Sequence, residues 1–276
     1  MRRWFLGLLV ALMPATLPAQ MPLPRTFTVA SDVSLRIWVP TGTVRLETWD
    51  HDSIRVSGTI APNSRFFGGG GGKSAKLGVE NFDVKDTALA RGALVVTVPR
   101  QAHVWIKMTE GEVTAVGTAG ELEVITVSGS ISVKDSKGVV AIETIDAAVA
   151  LSRVDGAVRI RTGGGRVVLA DVRGSLTAAT VSGDVEVNGK SLQDARLETI
   201  GGGITVRGSV ARGALLDLET HSGAISLVLD RAALPMLTLS SRGGPVRNPL
   251  GPGNEKFGRI LARTFKGAID VLSPER

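Results

Sequence analysis

The sequence predicts an all-β protein, a single-chain β-solenoid of right-handed β-helix-like form with rungs of about 18 residues and atypical capping rungs. Three observations predict it. A glycine returns every 18 residues at Gly120, Gly138, Gly156 and Gly174. A threonine keeps the same interval at Thr126, Thr144, Thr162 and Thr180, then continues with looser spacing at Thr199, Thr220 and Thr264. Between these columns apolar and polar residues alternate, as in Leu122-Glu123-Val124, which is the period-two signature of a strand with one buried face.

The full unit is seen in residues 120–133, where Leu122 and Val124 share one parity and, past Gly129, Ile131 and Val133 repeat it. Each unit is therefore two short strands joined by tight turns. A second glycine column, at Gly111, Gly129, Gly165, Gly183, Gly202, Gly223, Gly244 and Gly267, marks one of those turns, with Ala147 in its single gap. Glycine suits such positions because they ask for backbone geometry that a Cβ opposes. One unit cannot bury its apolar face alone, whereas stacked units share a continuous core. A contour of roughly 60 Å per rung and a stacking distance of about 4.8 Å imply a rod on the order of 40 Å long. A β-sandwich also gives short, evenly spaced strands; the exact recurrence of matching residues favours the solenoid.

The threonine column has the parity of Leu122 and Val124. It is therefore expected inside or at the corner, its hydroxyls tying down turn backbone, rather than as an outward ice-binding row. Glycines at 163–165 and 201–203 fall in the same turns and are read as structural.

Residues 1–20 have a basic start (Arg2, Arg3), an apolar run from Trp4 to Met13 and a small-residue tail ending Leu17-Pro18-Ala19-Gln20. This is the layout of a cleaved secretory signal peptide, and the run is short for a transmembrane span. The solenoid domain is expected over residues 25–272. The alternation is less regular from Phe27 to Ile60, and residues 61–76 read as a glycine-rich loop insertion.

The chemistry available is narrow. There is no cysteine, so disulfides, thiolate catalysis and cysteine-bound zinc are excluded. The net charge of +6 falls by two when Arg2 and Arg3 leave with the signal, too small a bias over this length to mark a nucleic-acid binder. Gly68–Gly72 followed by Lys73-Ser74 imitates a phosphate-binding loop, but Phe67 stands where its first glycine is needed. His51, His103 and His221 have no metal-ligand spacing, and no nucleophile-elbow sequence accompanies them. No cofactor, metal or catalytic residue is expected. The densest basic spot is Arg159, Arg161 and Arg166, a candidate site for an anionic ligand. Glu143 lies one rung before Arg161, and Asp184 and Glu186 one rung after Arg166, so cross-rung ion pairing is the competing reading.

Several of these features resemble the putative-adhesin family of bacterial envelope proteins, a β-strand-repeat domain of unknown function. They are the opening Leu35-Arg36-Ile37 with Gly42-Thr43-Val44-Arg45-Leu46-Glu47-Thr48-Trp49-Asp50 and Ile54-Arg55-Val56, the strand Leu94-Val95-Val96-Thr97-Val98-Pro99, and Thr-Val-Ser-Gly at 126–129 and 180–183. The likeness runs from about residue 27 to 271. It implies an all-β solenoid-like fold and an envelope location, and supplies no catalytic residues. The expected function is an exported, non-enzymatic envelope protein in the periplasm or on the cell surface, a binding or adhesin module whose partners are surface glycans or envelope proteins. The alternatives are a scaffold that self-assembles end to end and, less well supported, a polysaccharide-degrading β-helix enzyme.

Overall fold

The computed structural model describes residues 25–83 and 88–274; the expected signal peptide lies outside them. The chain is strand almost throughout. It opens with β1 (Arg25–Thr28), β2 (Ser34–Trp38), β3 (Thr41–Trp49), β4 (Ser53–Ile60), β5 (Ser64–Gly71) and β6 (Ser74–Asn81). Next come β7 (Arg91–Pro99), β8 (His103–Lys107), β9 (Glu110–Val116) and the long β10 (Glu121–Thr162). The regular part continues as β11 (Val167–Arg173), β12 (Leu176–Thr180), β13 (Val185–Leu192), β14 (Ala195–Thr199), β15 (Ile204–Val210), β16 (Leu215–Thr220) and β17 (Ile225–Leu229). It ends with β18 (Pro235–Ser241), β19 (Val246–Arg247), β20 (Asn254–Thr264) and β21 (Ile269–Leu272).

These strands form the predicted solenoid. A front sheet runs β6-β2-β8-β10-β12-β14-β16-β20-β18, parallel throughout. A back sheet runs β7-β3-β9-β10-β11-β13-β15-β17-β21-β19, also parallel. The register reproduces the sequence period: Leu122 sits on Val104, and Val158 on Leu176. β10 is unusually long because it turns corners without losing its ladder, pairing with β8 and β9 at its start and with β11 and β12 at its end. The core between the sheets is aliphatic. Leu122, Val124, Ile131, Val133, Ile160, Leu169 and Leu197 are all buried, while residues of opposite parity face water.

Rung order departs from chain order at both ends. β2 and β3 lie between β6/β7 and β8/β9, although β6 and β7 follow them in sequence. At the far end β20 and β21 slide between β16/β17 and β18/β19. The first end is also covered by antiparallel strands: β4 on β7, β5 on β6, and β1 on β4.

The segment expected as a glycine-rich loop insertion is instead the hairpin β5–β6, paired from Ser64↔Asn81 to Gly71↔Ser74. The glycines serve close packing. A Cβ on Gly70 would stand 2.5 Å from the Ala75 Cα, and Gly72 turns the hairpin at φ +54°. Lys73, which mimicked a phosphate-loop lysine, pairs with Asp32 at 2.7 Å.

The threonine ladder is present as expected. Thr180, Thr199, Thr220 and Thr264 are buried, and each hydroxyl accepts the amide of the glycine three residues on, at 2.9–3.0 Å. Thr220 donates in turn to the Gly202 carbonyl, and Thr264 to that of Gly223. Ser241 takes the role in the last rung. Thr162 differs, its buried hydroxyl having no partner. Thr220→Val should therefore cost about 1–3 kcal/mol by stranding the Gly223 amide, whereas Thr162→Val should be near neutral or stabilising. Denaturant melts of the two variants check this, and equal losses would refute the ladder's role.

Cross-rung ion pairs line the outside. Arg153 grips Asp135 through two nitrogens, and Arg100 grips Asp50 likewise. Both aspartates are held below the usual carboxylate range by hydrogen bonds from these arginines. Glu186 is lowered by its hydrogen bonds to Asn188 and then Arg166. A depressed carboxyl pKa contributes stability that is present above the unfolded value of about 4 and lost as pH falls through the folded one. Melting temperature should thus be flat above about pH 5 and decline below pH 4, shallowly because these groups are exposed and screened. Calorimetry between pH 7 and pH 3 tests this; a decline beginning near neutrality would contradict it.

Candidate ligand-binding face

Arg159 and Arg161 point outward from the front sheet, in register with Thr177 and Ala179 of β12. Neither has an ion-pair partner among the described residues, so the Glu143–Arg161 pairing expected across one rung does not form. Arg166 stands apart, beyond the Gly163–Gly165 corner at the edge of the back sheet, and pairs with Glu186 at 2.7 Å. The cross-rung reading thus holds for Arg166, and the three arginines do not converge on one site.

A concavity lies elsewhere on the front sheet, a groove of about 910 Å³ over the outer face of β12, β14, β16, β20 and β18. One wall is aromatic. His221 and Phe265 stack with ring centroids 5.0 Å apart and planes within 10°, and the Arg242 guanidinium lies 5.9 Å above the Phe265 ring. Phe265 remains 43% exposed, so this ring offers surface to a ligand. The floor is polar. Arg263 reaches Asp217 at 2.9 Å and Glu219 at 3.0 Å, and Arg196 pairs with Glu198. These pairs fix planar donors and acceptors beside an aromatic face. Sugars have apolar ring faces and hydroxyl edges, so this combination suits them.

His221 lies in the turn after β16, and nothing in the local sequence connects it with Phe265. The two are 44 residues apart in the chain and meet because β20 pairs with β16. The strand pattern alone carries no signal of that insertion.

A second, smaller concavity of about 500 Å³ lies near the first end of the same sheet, around Trp105, His103, Arg36, Glu121 and Glu123. His103 and Trp105 face outward, on the parity opposite the buried Val104 and Ile106. Among the described residues no group of three or more histidines, aspartates and glutamates could hold a metal ion, and no helix is long and apolar enough to cross a membrane.

Solved structures similar to the chain include a "putative cell adhesion protein" from Clostridium sporogenes, 11% identical, covering 92% of this chain and 100% of that one with a TM-score of 0.25. Another is a "putative lipid binding protein" from Parabacteroides distasonis, 12% identical, covering 92% and 97% with a TM-score of 0.48. No curated protein matches the chain. The Toastrack DUF4097 model matches residues 44–245, from within β3 to the corner after β18, and the chain belongs to that family.

Proposed function

We propose that this protein is an exported component of the cell envelope, a non-enzymatic binding module of adhesin type whose front-sheet groove recognises glycans. The observation that carries the reading is the stacked His221–Phe265 pair set against the ion-paired floor of Arg196, Glu198, Glu219 and Arg263. Export rests on the tripartite pattern of residues 1–20. A degradative enzyme is less well supported. Glycoside hydrolysis needs two carboxyl groups facing each other across the bond, and here Glu198, Asp217 and Glu219 are each tied to an arginine in one sheet.

The test is a glycan array of the protein beside Phe265→Ala. Selective glycan binding that falls at least tenfold in the variant is expected, a loss of the order that one aromatic contact contributes. Phe265 is half exposed, so an unchanged melting temperature should accompany the loss. Binding that is indifferent to Phe265 would sink the assignment of the groove.

A further inference from the structure

The groove and the Trp105 concavity share the front sheet. Going from β8 to β20 means crossing the three stretches of β10, then β12, β14 and β16, a distance of about 34 Å at ~4.8 Å per strand. Trp105 lies in register between Arg36 on one side and Glu123 on the other. Near it the Lys107 ammonium sits 5.1 Å from the centre of the Trp38 ring. Each end of the sheet thus has an aromatic station beside charged side chains of both signs.

The corner bordering this sheet has a feature that the repeat does not require. The residue after each ladder threonine points into water, and it is apolar at Val127, Ile145, Val181, Ile200 and Phe265, which are 43–63% exposed. Gly163 and His221 fill the remaining places. Backbone bonds run from rung to rung there: Val181 donates to Gly163, Ile200 to Val181, Ser222 to Ile200, and Phe265 to His221. Turn positions facing solvent are normally polar. An apolar rim following one edge of a sheet from near Trp105 to Phe265 therefore needs an occupant.

We propose that the two stations and the rim form one track, and that its ligand is a linear, uncharged polysaccharide lying along the rod. This rests on the glycan reading of the groove and extends it. Charges of both signs mingle on the sheet: Arg36, Lys107, Arg159, Arg161, Arg196 and Arg263 stand among Glu121, Glu123, Glu143, Glu198, Asp217 and Glu219. A polyanion would meet repulsion as often as attraction. A neutral polymer finds donors and acceptors throughout, with Arg159 and Arg161 free at mid-track, while its ring faces lie against the rim and the aromatic side chains. An extended peptide would bind by adding a strand to an open edge, and the strands of this face from β8 to β20 are paired on both sides.

The experiment is calorimetric titration with β-1,4-linked oligomers of glucose, xylose and N-acetylglucosamine, each at two and at eight units, and with heparin. At least one neutral octamer should bind ten or more times more tightly than its dimer. Trp105→Ala should erase that gain and leave dimer affinity alone, Trp105→Phe should keep most of it, and Phe265→Ala should weaken both lengths. Octamers no tighter than dimers, or an octamer indifferent to Trp105→Ala, would overturn the track while the groove stands. Heparin binding above every neutral oligomer, with steep salt dependence, would overturn the uncharged ligand. Absence of binding by every neutral oligomer and by heparin would overturn track and glycan reading together.

Discussion

Gly223→Ala is expected to destabilise the protein by about 4 kcal/mol, near the upper end for single substitutions, and to lower its melting temperature by on the order of 10 °C. The reason is distance. A Cβ at Gly223 would stand 1.7 Å from the Gly202 carbonyl oxygen and 2.9 Å from the Thr220 hydroxyl. That carbonyl already accepts the Thr220 hydroxyl, which holds the Gly223 amide. The corner cannot open without breaking two rungs of the ladder, and in the next rung a Cβ at Gly267 would stand a similar 1.8 Å from the Gly223 carbonyl oxygen. Gly213, where an added Cβ meets nothing within 4 Å but φ is +77°, should lose only about 1 kcal/mol on the same change, the ordinary penalty of a left-handed conformation. Thermal melts of both variants separate crowding from conformation. Comparable losses at the two sites would mean that the corners yield more easily than their spacing indicates.

The second large effect concerns chain order. Ending the chain after Gly253 removes β20 and β21. In a stack built in sequence order this would trim the last rung and leave the rest paired. Here it withdraws a rung from between two others. Ile260, Ala262, Ile269 and Val271 are fully buried, and each large aliphatic side chain among them contributes roughly 1.5–3 kcal/mol by leaving water. β18 and β19 pair with nothing else among the described residues, so their pairing should vanish too. Hydrogen exchange is expected to show protection lost from residue 215 through 247 and kept in β10 to β12. Protection surviving in β18 would show that the gap closes and the two flanking rungs meet.

The sequence carried the rung well and the ends poorly. Gly120, Thr126 and Gly129 with their 18-residue images define strand, corner and core parity, because a repeat averages over many copies of one local problem. The threonine hydroxyls could be placed from parity alone, and their buried ladder followed. The glycine run at 68–72 misled, since the chain uses it for packing a hairpin where composition suggests mobility. Arg159, Arg161 and Arg166 looked like one patch because they are near in sequence, and a corner puts Arg166 on another sheet. The rim was in plain view as Val127, Ile145, Val181 and Ile200. It went unread because Gly163 and His221 interrupt it, and because exposure is invisible until the corner's direction is known. The His221–Phe265 wall could not be foreseen at all, being a product of the inserted rung.

The two ends of the rod also differ in what they can do to a neighbouring copy. β4 and β5 lie antiparallel across the first end, while at the other β18 and β19 have an edge with no strand on it among the described residues. A filament grows when each subunit's last edge can continue into the next one's first, a head-to-tail contact that repeats without limit. At the first end the outermost front strand is β5, antiparallel to the stack and paired on one side alone among the described residues. Two such parallel ends set face to face about a twofold axis make a contact that is complete at two copies. The two ends therefore present unlike edges to a neighbouring copy, a reversed strand at one and the parallel edge of β18 and β19 at the other.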